Sequence, residues 1–203
     1  MAQQIRPLEV MVSSRIETTI ASGSKLATVR QRIAAALMAT PSPVTPLFRV
    51  WLSEDEGAGG QDETAWNACM AAAARCDILL VLYNGEAGWL RGGTGICHAE
   101  YLAGVARNPA KVRVIRVEGD IWNRTKNAFD RLVASPDSKF FSDLATANAI
   151  RGTGRTADEI VEKSVHAIWT AVTDLVVLPN QVVDGQRLIG GCPDSDQCGR
   201  RRL

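Results

Sequence analysis

Apolar residues along this chain follow two alternating rhythms. Short β-branched or apolar runs at Leu8–Val12, Phe48–Leu52, Ile78–Leu82 and Val112–Val117 predict strands. Between them, Leu26, Val29, Ile33, Ala36 and Leu37 recur at helical spacing and predict a helix over Leu26–Met38, stopped by Pro41, Pro43 and Pro46. The alanine-rich Glu63–Arg75 predicts another. Ile78–Leu82 is apolar at every position, which requires cover on both faces, as in the middle of a parallel sheet. The acidic, glycine-rich Glu54–Gly60 predicts a loop. A second glycine-rich loop, Gly85–Gly95, leads into a helix over Ile96–Ala106 that Asn108-Pro109 ends. Lys111, Arg113 and Arg116 interleave with the apolar residues of Val112–Val117, so that strand is expected near an edge or partly solvated. A helix near Arg124–Val133 follows. A longer one runs from Thr156 to Leu175, capped by Thr156 or Asp158. From Val176 onward Pro179, Asp184-Gly185 and Gly190-Gly191 break the pattern, and no element is assigned.

Repeated strand–helix–strand units imply an α/β fold: a three-layer, flavodoxin-like parallel sheet flanked by helices. Residues 1–178 form its domain, and 179–203 are read as a C-terminal extension, the start of a linker or further domain. In such sheets ligands bind beyond the carboxyl ends of the strands, near a topological switch point. That selects Ser13–Ile16, Ser53–Gly60, Tyr83–Gly95 and Glu118–Trp122 for inspection.

Composition removes several function classes. The 203 residues, 46% hydrophobic and 22% charged, are ordinary for a globular domain with an apolar core. Net charge is +1, without the basic excess of a nucleic-acid binder; Arg200-Arg201-Arg202 is the sole basic run. No secretory signal and no run of membrane-spanning length is visible, so a cytoplasmic protein without a membrane partner is expected. Cys69, Cys76 and Cys97 read as buried thiols; Cys192 and Cys198 lack the second pair a zinc site needs, and no metal is expected.

Familiar motifs are also missing. There is no glycine fingerprint for dinucleotides after the first strand, no Gly-Lys-Ser/Thr phosphate loop and no Gly-x-Ser-x-Gly elbow. His98 and His166 read as structural. What remains at the strand ends is hydroxyls, an arginine, glycine-rich backbone and a carboxylate. Ser13, Ser14 and Arg15 follow the first strand, where they suit either a helix cap or turn, or a grip on ribose or phosphate. In Tyr83-Asn84-Gly85-Glu86-Ala87-Gly88-Trp89, Gly85 permits close backbone approach, and Tyr83 or Trp89 suits stacking on a flat base; the commoner reading is a surface loop whose tryptophan packs on its neighbours or on a second subunit. Glu100, expected in the first turn of its helix and ionised there, either complements the helix dipole or serves as nucleophile or cation stabiliser. A single carboxylate suits an N-glycosidic bond to nicotinamide. That leaving group departs neutral without a general acid, and the oxocarbenium-like ribose left behind needs one negative charge.

Three segments in order carry a resemblance. Val10-Met11-Val12-Ser13-Ser14, Cys76–Gly85 and Gly95–Tyr101 followed by Lys111–Val117 resemble the signatures of the domain of unknown function 4062 family, over residues 8–118. Arg15 stands where that family usually has threonine, and the loop from Trp89 to Gly95 is richer in glycine. The resemblance implies a TIR-like fold, akin to nucleoside deoxyribosyltransferases, with Glu100 at the catalytic position and Ser13-Ser14 beside a nucleotide. It implies NAD or a related nucleotide as substrate or ligand, with no cofactor required. It also implies self-association or attachment to other domains, and a role in bacterial antiphage defence or signalling. The alternative it leaves open is a non-catalytic sensor or assembly module of a larger protein.

Overall fold

Ile78–Tyr83 is buried throughout and apolar but for the Tyr83 hydroxyl, and the sheet is built around it. The computed structural model of the chain describes residues 6–39, 46–55 and 61–187. Among the described residues, seven strands and six α-helices follow in the order β1 (Leu8–Ser13), α1 (Leu26–Met38), β2 (Phe48–Trp51), α2 (Glu63–Arg75), β3 (Ile78–Tyr83), β4 (Leu90–Arg91), β5 (Thr94–Gly95), α3 (Ile96–Arg107), β6 (Val112–Val117), α4 (Asp120–Asp130), α5 (Pro136–Thr146), β7 (Ile150–Gly154) and α6 (Ala157–Arg187). Five strands pair in parallel in the order β2-β1-β3-β6-β7, the flavodoxin-like arrangement. β4 and β5 form a small antiparallel hairpin inside the glycine-rich loop.

Alternation along the strands divides the core into two layers. Val10, Val12, Ile78, Leu80 and Leu82 face α1 and α6, while Met11, Leu79, Val81 and Tyr83 face α2, α3 and the aromatic residues of α4 and α5. The chain is therefore an α/β protein with three layers. Asp62 caps α2 by accepting from the Ala65 N–H at 2.8 Å. At α6, Thr156 Oγ1 accepts from the Glu159 N–H while Glu159 reaches back to the N–H of Arg155 and Thr156, a reciprocal capping box.

Several expectations are corrected. β6 lies second from an edge, between β3 and β7, but it is buried at every position except Arg116 rather than partly solvated. Lys111 and Arg113 are buried because each finds partners. Lys111 Nζ donates to the carbonyls of Ala73, Ala74 and Cys76 at 2.8, 3.0 and 3.0 Å, closing the C-terminal end of α2. Arg113 donates to Ala110 O, Val112 O and Asp174. The helix expected at Arg124–Val133 starts earlier, at Asp120, and α6 continues past Leu175. Cys192, Cys198, Arg200–Arg202 and all but the start of the 179–203 extension lie outside the described residues. Among the described residues, no helix is long and apolar enough to cross a membrane.

Candidate functional site

The chain turns left from β1 to β2 and right from β3 to β6, so the switch point lies between the carboxyl ends of β1 and β3. Ser13 is the last residue of β1. Being two residues beyond Met11, it points to the α2–α3 face, where its Oγ donates a short hydrogen bond to Glu100 Oε2. Glu100 is only 5% exposed and Ser13 2%. Both line a cleft of about 160 Å³ together with Ser14, Arg15, Arg30 and Trp89.

Glu100 is the fifth residue of α3, just past its first turn, so the helix terminus does not hold it ionised. Burial pushes its pKa above the ordinary carboxylate value; hydrogen bonds from Ser13 and Cys69 and the charge of Arg30 pull the other way without prevailing. This corrects the expectation of a carboxylate fixed in its ionised form. The same burial, reinforced by the Glu100 charge, raises the thiols of Cys69 and Cys97, which keeps both protonated and poor nucleophiles at neutral pH.

The glycine-rich loop folds over the start of α3. Ile96 N–H donates to Trp89 O at 2.9 Å, and Cys97 and His98 N–H both donate to Ala87 O at 2.9 and 3.3 Å. Three of the amides that a helix start normally leaves free are thus already used. Gly95 makes this closeness possible. A Cβ there would lie 2.1 Å from Ala87 O and 2.4 Å from its carbonyl carbon, which are backbone atoms that cannot give way.

Of the residues singled out from sequence, Ser13, Ser14, Arg15, Trp89 and Glu100 meet in this cleft. Tyr83 and Gly85 do not. The Tyr83 ring is buried in the core, edge-on to Trp122 and Phe140 at 5.6 and 4.7 Å, and has no free face for a base. Gly85 packs against α4 with φ +105°, and its carbonyl accepts from Thr125 Oγ1 at 2.8 Å. Trp89 packs edge-to-face on Trp66 at 5.3 Å while still bordering the cleft. Arg15 faces Glu86 at 3.6 Å across the rim.

Arg30 was not singled out. It sits on the buried stripe of α1 with Leu26, Ile33, Ala34 and Leu37, and its guanidinium bonds Glu54 at 2.9 Å and Ser53 at 3.3 Å. A charged residue in phase with an apolar stripe was the available signal. His98 stacks its ring on Phe140 at 4.7 Å, and its Nε2 meets Asp143 at 2.7 Å while its Nδ1 has no partner among the described residues. No cluster of side chains suited to a metal occurs among the described residues. The chain matches no protein-family model, no curated protein and no solved structure.

Proposed function

We propose that this cleft binds a nucleotide and cleaves or transfers its N-glycosidic bond, with NAD or a related nucleotide as substrate and Glu100 as the acting carboxylate. The observation that carries the reading is the buried Glu100, clasped by Ser13 at the end of β1 and lining a cleft beside the switch point. In the hydrolytic case the bond from the ribose anomeric carbon to the pyridinium nitrogen breaks, and its electron pair neutralises nicotinamide. The ionised Glu100 faces the developing ribosyl cation and stabilises or captures it. A water oxygen then bonds the anomeric carbon and releases one proton. The substrate's positive charge favours the ionised form that burial disfavours, so the carboxylate is better suited to the cationic substrate than to the empty cleft. Trp89 borders the cleft and supplies a ring for the base. A role in bacterial defence or signalling, with self-association completing the site, belongs to the same proposal.

The test is NAD consumption by the chain at high concentration beside Glu100→Gln. Release of nicotinamide, abolished in the variant, is expected. Release that persists in the variant removes Glu100 from the mechanism. One observation favours the second reading, a non-catalytic sensor or assembly module: Ser13 and Cys69 already engage the Glu100 carboxylate, as they would in a purely structural tie between β1, α2 and α3. No release under conditions that force association supports that module.

A further inference from the structure

Three polar atoms at the Glu100 cleft have no hydrogen-bond partner among the described residues: Ser14 Oγ, Arg30 Nε and Glu54 Oε1. Ser14 and Arg30 line the cleft, and Glu54 is bound to Arg30. The Arg30 side chain is 2% exposed, so bulk solvent does not reach it. Buried polar atoms are nearly always paired, and several orphans gathered in one place mark a surface made to be completed by a ligand.

The character of that ligand follows from the charges. Arg30 is already neutralised by Glu54, and Arg15 faces Glu86. The leading amides of α3 are taken by Ala87 and Trp89. The cleft therefore offers little uncompensated positive charge to a phosphate, which favours ribose among the two groups, ribose or phosphate, that Ser13, Ser14 and Arg15 were expected to grip. What its lining offers is the Arg30 guanidinium N–H, the Ser14 hydroxyl and the Glu100 carboxyl oxygens. Two can donate and two can accept, which is the complement of neutral hydroxyls. Size agrees: about 160 Å³ is well under the roughly 300–1,000 Å³ of sites for drug-sized ligands, and it fits a sugar ring rather than a dinucleotide.

We infer that the cleft seats the ribose of an N-riboside through its hydroxyls, discriminating against 2′-deoxyribosides and reading no phosphate, with Arg30 as a specificity-determining residue. The inference rests on the proposed function only in taking the hydroxylated ring to be a ribose. Sites that hydrogen-bond a substrate hydroxyl reject the analogue lacking it, because their own buried groups are then stranded.

The experiment is an NMR titration of the wild-type chain with adenosine, 2′-deoxyadenosine and AMP. Adenosine is expected to bind at least about tenfold tighter than its deoxy analogue, the worth of roughly one net hydrogen bond. AMP is expected to bind less than about tenfold tighter than adenosine, since the cleft has little free charge for its phosphate. The ribose preference is expected to shrink in both Arg30→Met and Ser14→Ala. Ser14 Oγ bonds nothing in the protein, so Ser14→Ala keeps the test decisive if Arg30→Met fails to fold. Less than tenfold discrimination, an AMP advantage of tenfold or more, no binding, or a preference that survives in the folded variants overturns the inference. NAD consumption is scored separately. Riboside preference without cleavage sinks the enzymatic reading and leaves this one standing, and cleavage without preference does the reverse.

Discussion

Replacing Glu100 by glutamine separates what the carboxylate does for chemistry from what it costs the fold. Burial raises its pKa in the folded chain above the unfolded value of about 4.3. A group raised in this way contributes stability that is fully present below the unfolded pKa and lost as pH rises through the folded one. At neutral pH the native chain must therefore either keep a proton on Glu100 or hold a charge in a site that disfavours it. Each unit of elevation corresponds to about 1.4 kcal/mol. For a chain of 203 residues, 1 kcal/mol moves Tm by about 2–4 °C, so each unit is worth about 3–6 °C. Glutamine keeps the volume and an oxygen to accept from Ser13, and it carries no charge. Glu100→Gln is expected to abolish nicotinamide release and to melt higher than wild type at pH 8, with the gap closing as pH falls towards 4. Thermal unfolding by circular dichroism between pH 4 and 8 measures it. A variant that melts lower than wild type at pH 8, or a gap that does not change with pH, refutes the reasoning and makes the carboxylate a net tie.

Gly95→Ala drives a Cβ into the Ala87 carbonyl and is expected to cost at least about 1–3 kcal/mol in urea unfolding, where an ordinary glycine-to-alanine change at this negative φ would cost almost nothing. Burial lowers the His98 pKa despite Asp143, so its share of stability is present above about 6.5 and lost as pH falls through the folded value; His98→Gln is expected to flatten that acid-side loss in chemical unfolding at pH 4–7. Lys111→Met removes the donor to three carbonyls, two of them buried, and is expected to lower unfolding free energy by at least about 1–3 kcal/mol; an unchanged urea midpoint would show that the α2 terminus needs no cation.

Legibility in the sequence tracked how much of an element's burial its own residues announce. α1 and α2 lie where helical spacing places them, and Ile78–Leu82 became the central strand because only a sheet interior covers both faces of such a run. β7 was missed: Ile150-Arg151-Gly152-Thr153-Gly154 has one large apolar residue and two glycines, and it is a strand only because β6 supplies a partner. α5 was missed although Ser135 and Pro136 are a good cap and first helical residue, and the Ser135 hydroxyl accepts from the Ser138 N–H. β6 is less solvated than its charges suggested because partners remote in sequence satisfy them: α2 for Lys111 and α6 for Arg113. At the site, the residues at strand ends were within reach of topology alone. The convergence of Arg30 with Ser14, and the withdrawal of Tyr83 into the core, depend on packing among four or more elements, which no local pattern records.

The loop carbonyls over α3 give the cleft a built-in clock. Amides in the first turn of a helix ordinarily exchange their hydrogens with solvent freely, since nothing holds them. Those of Cys97 and His98 are both aimed at Ala87 O, so they are exposed only when the 85–95 loop lifts. Their exchange rates therefore report the opening free energy of the wall beside Glu100 in the resting protein, before any ligand is known. A compound that slows them would identify itself as one that closes the loop.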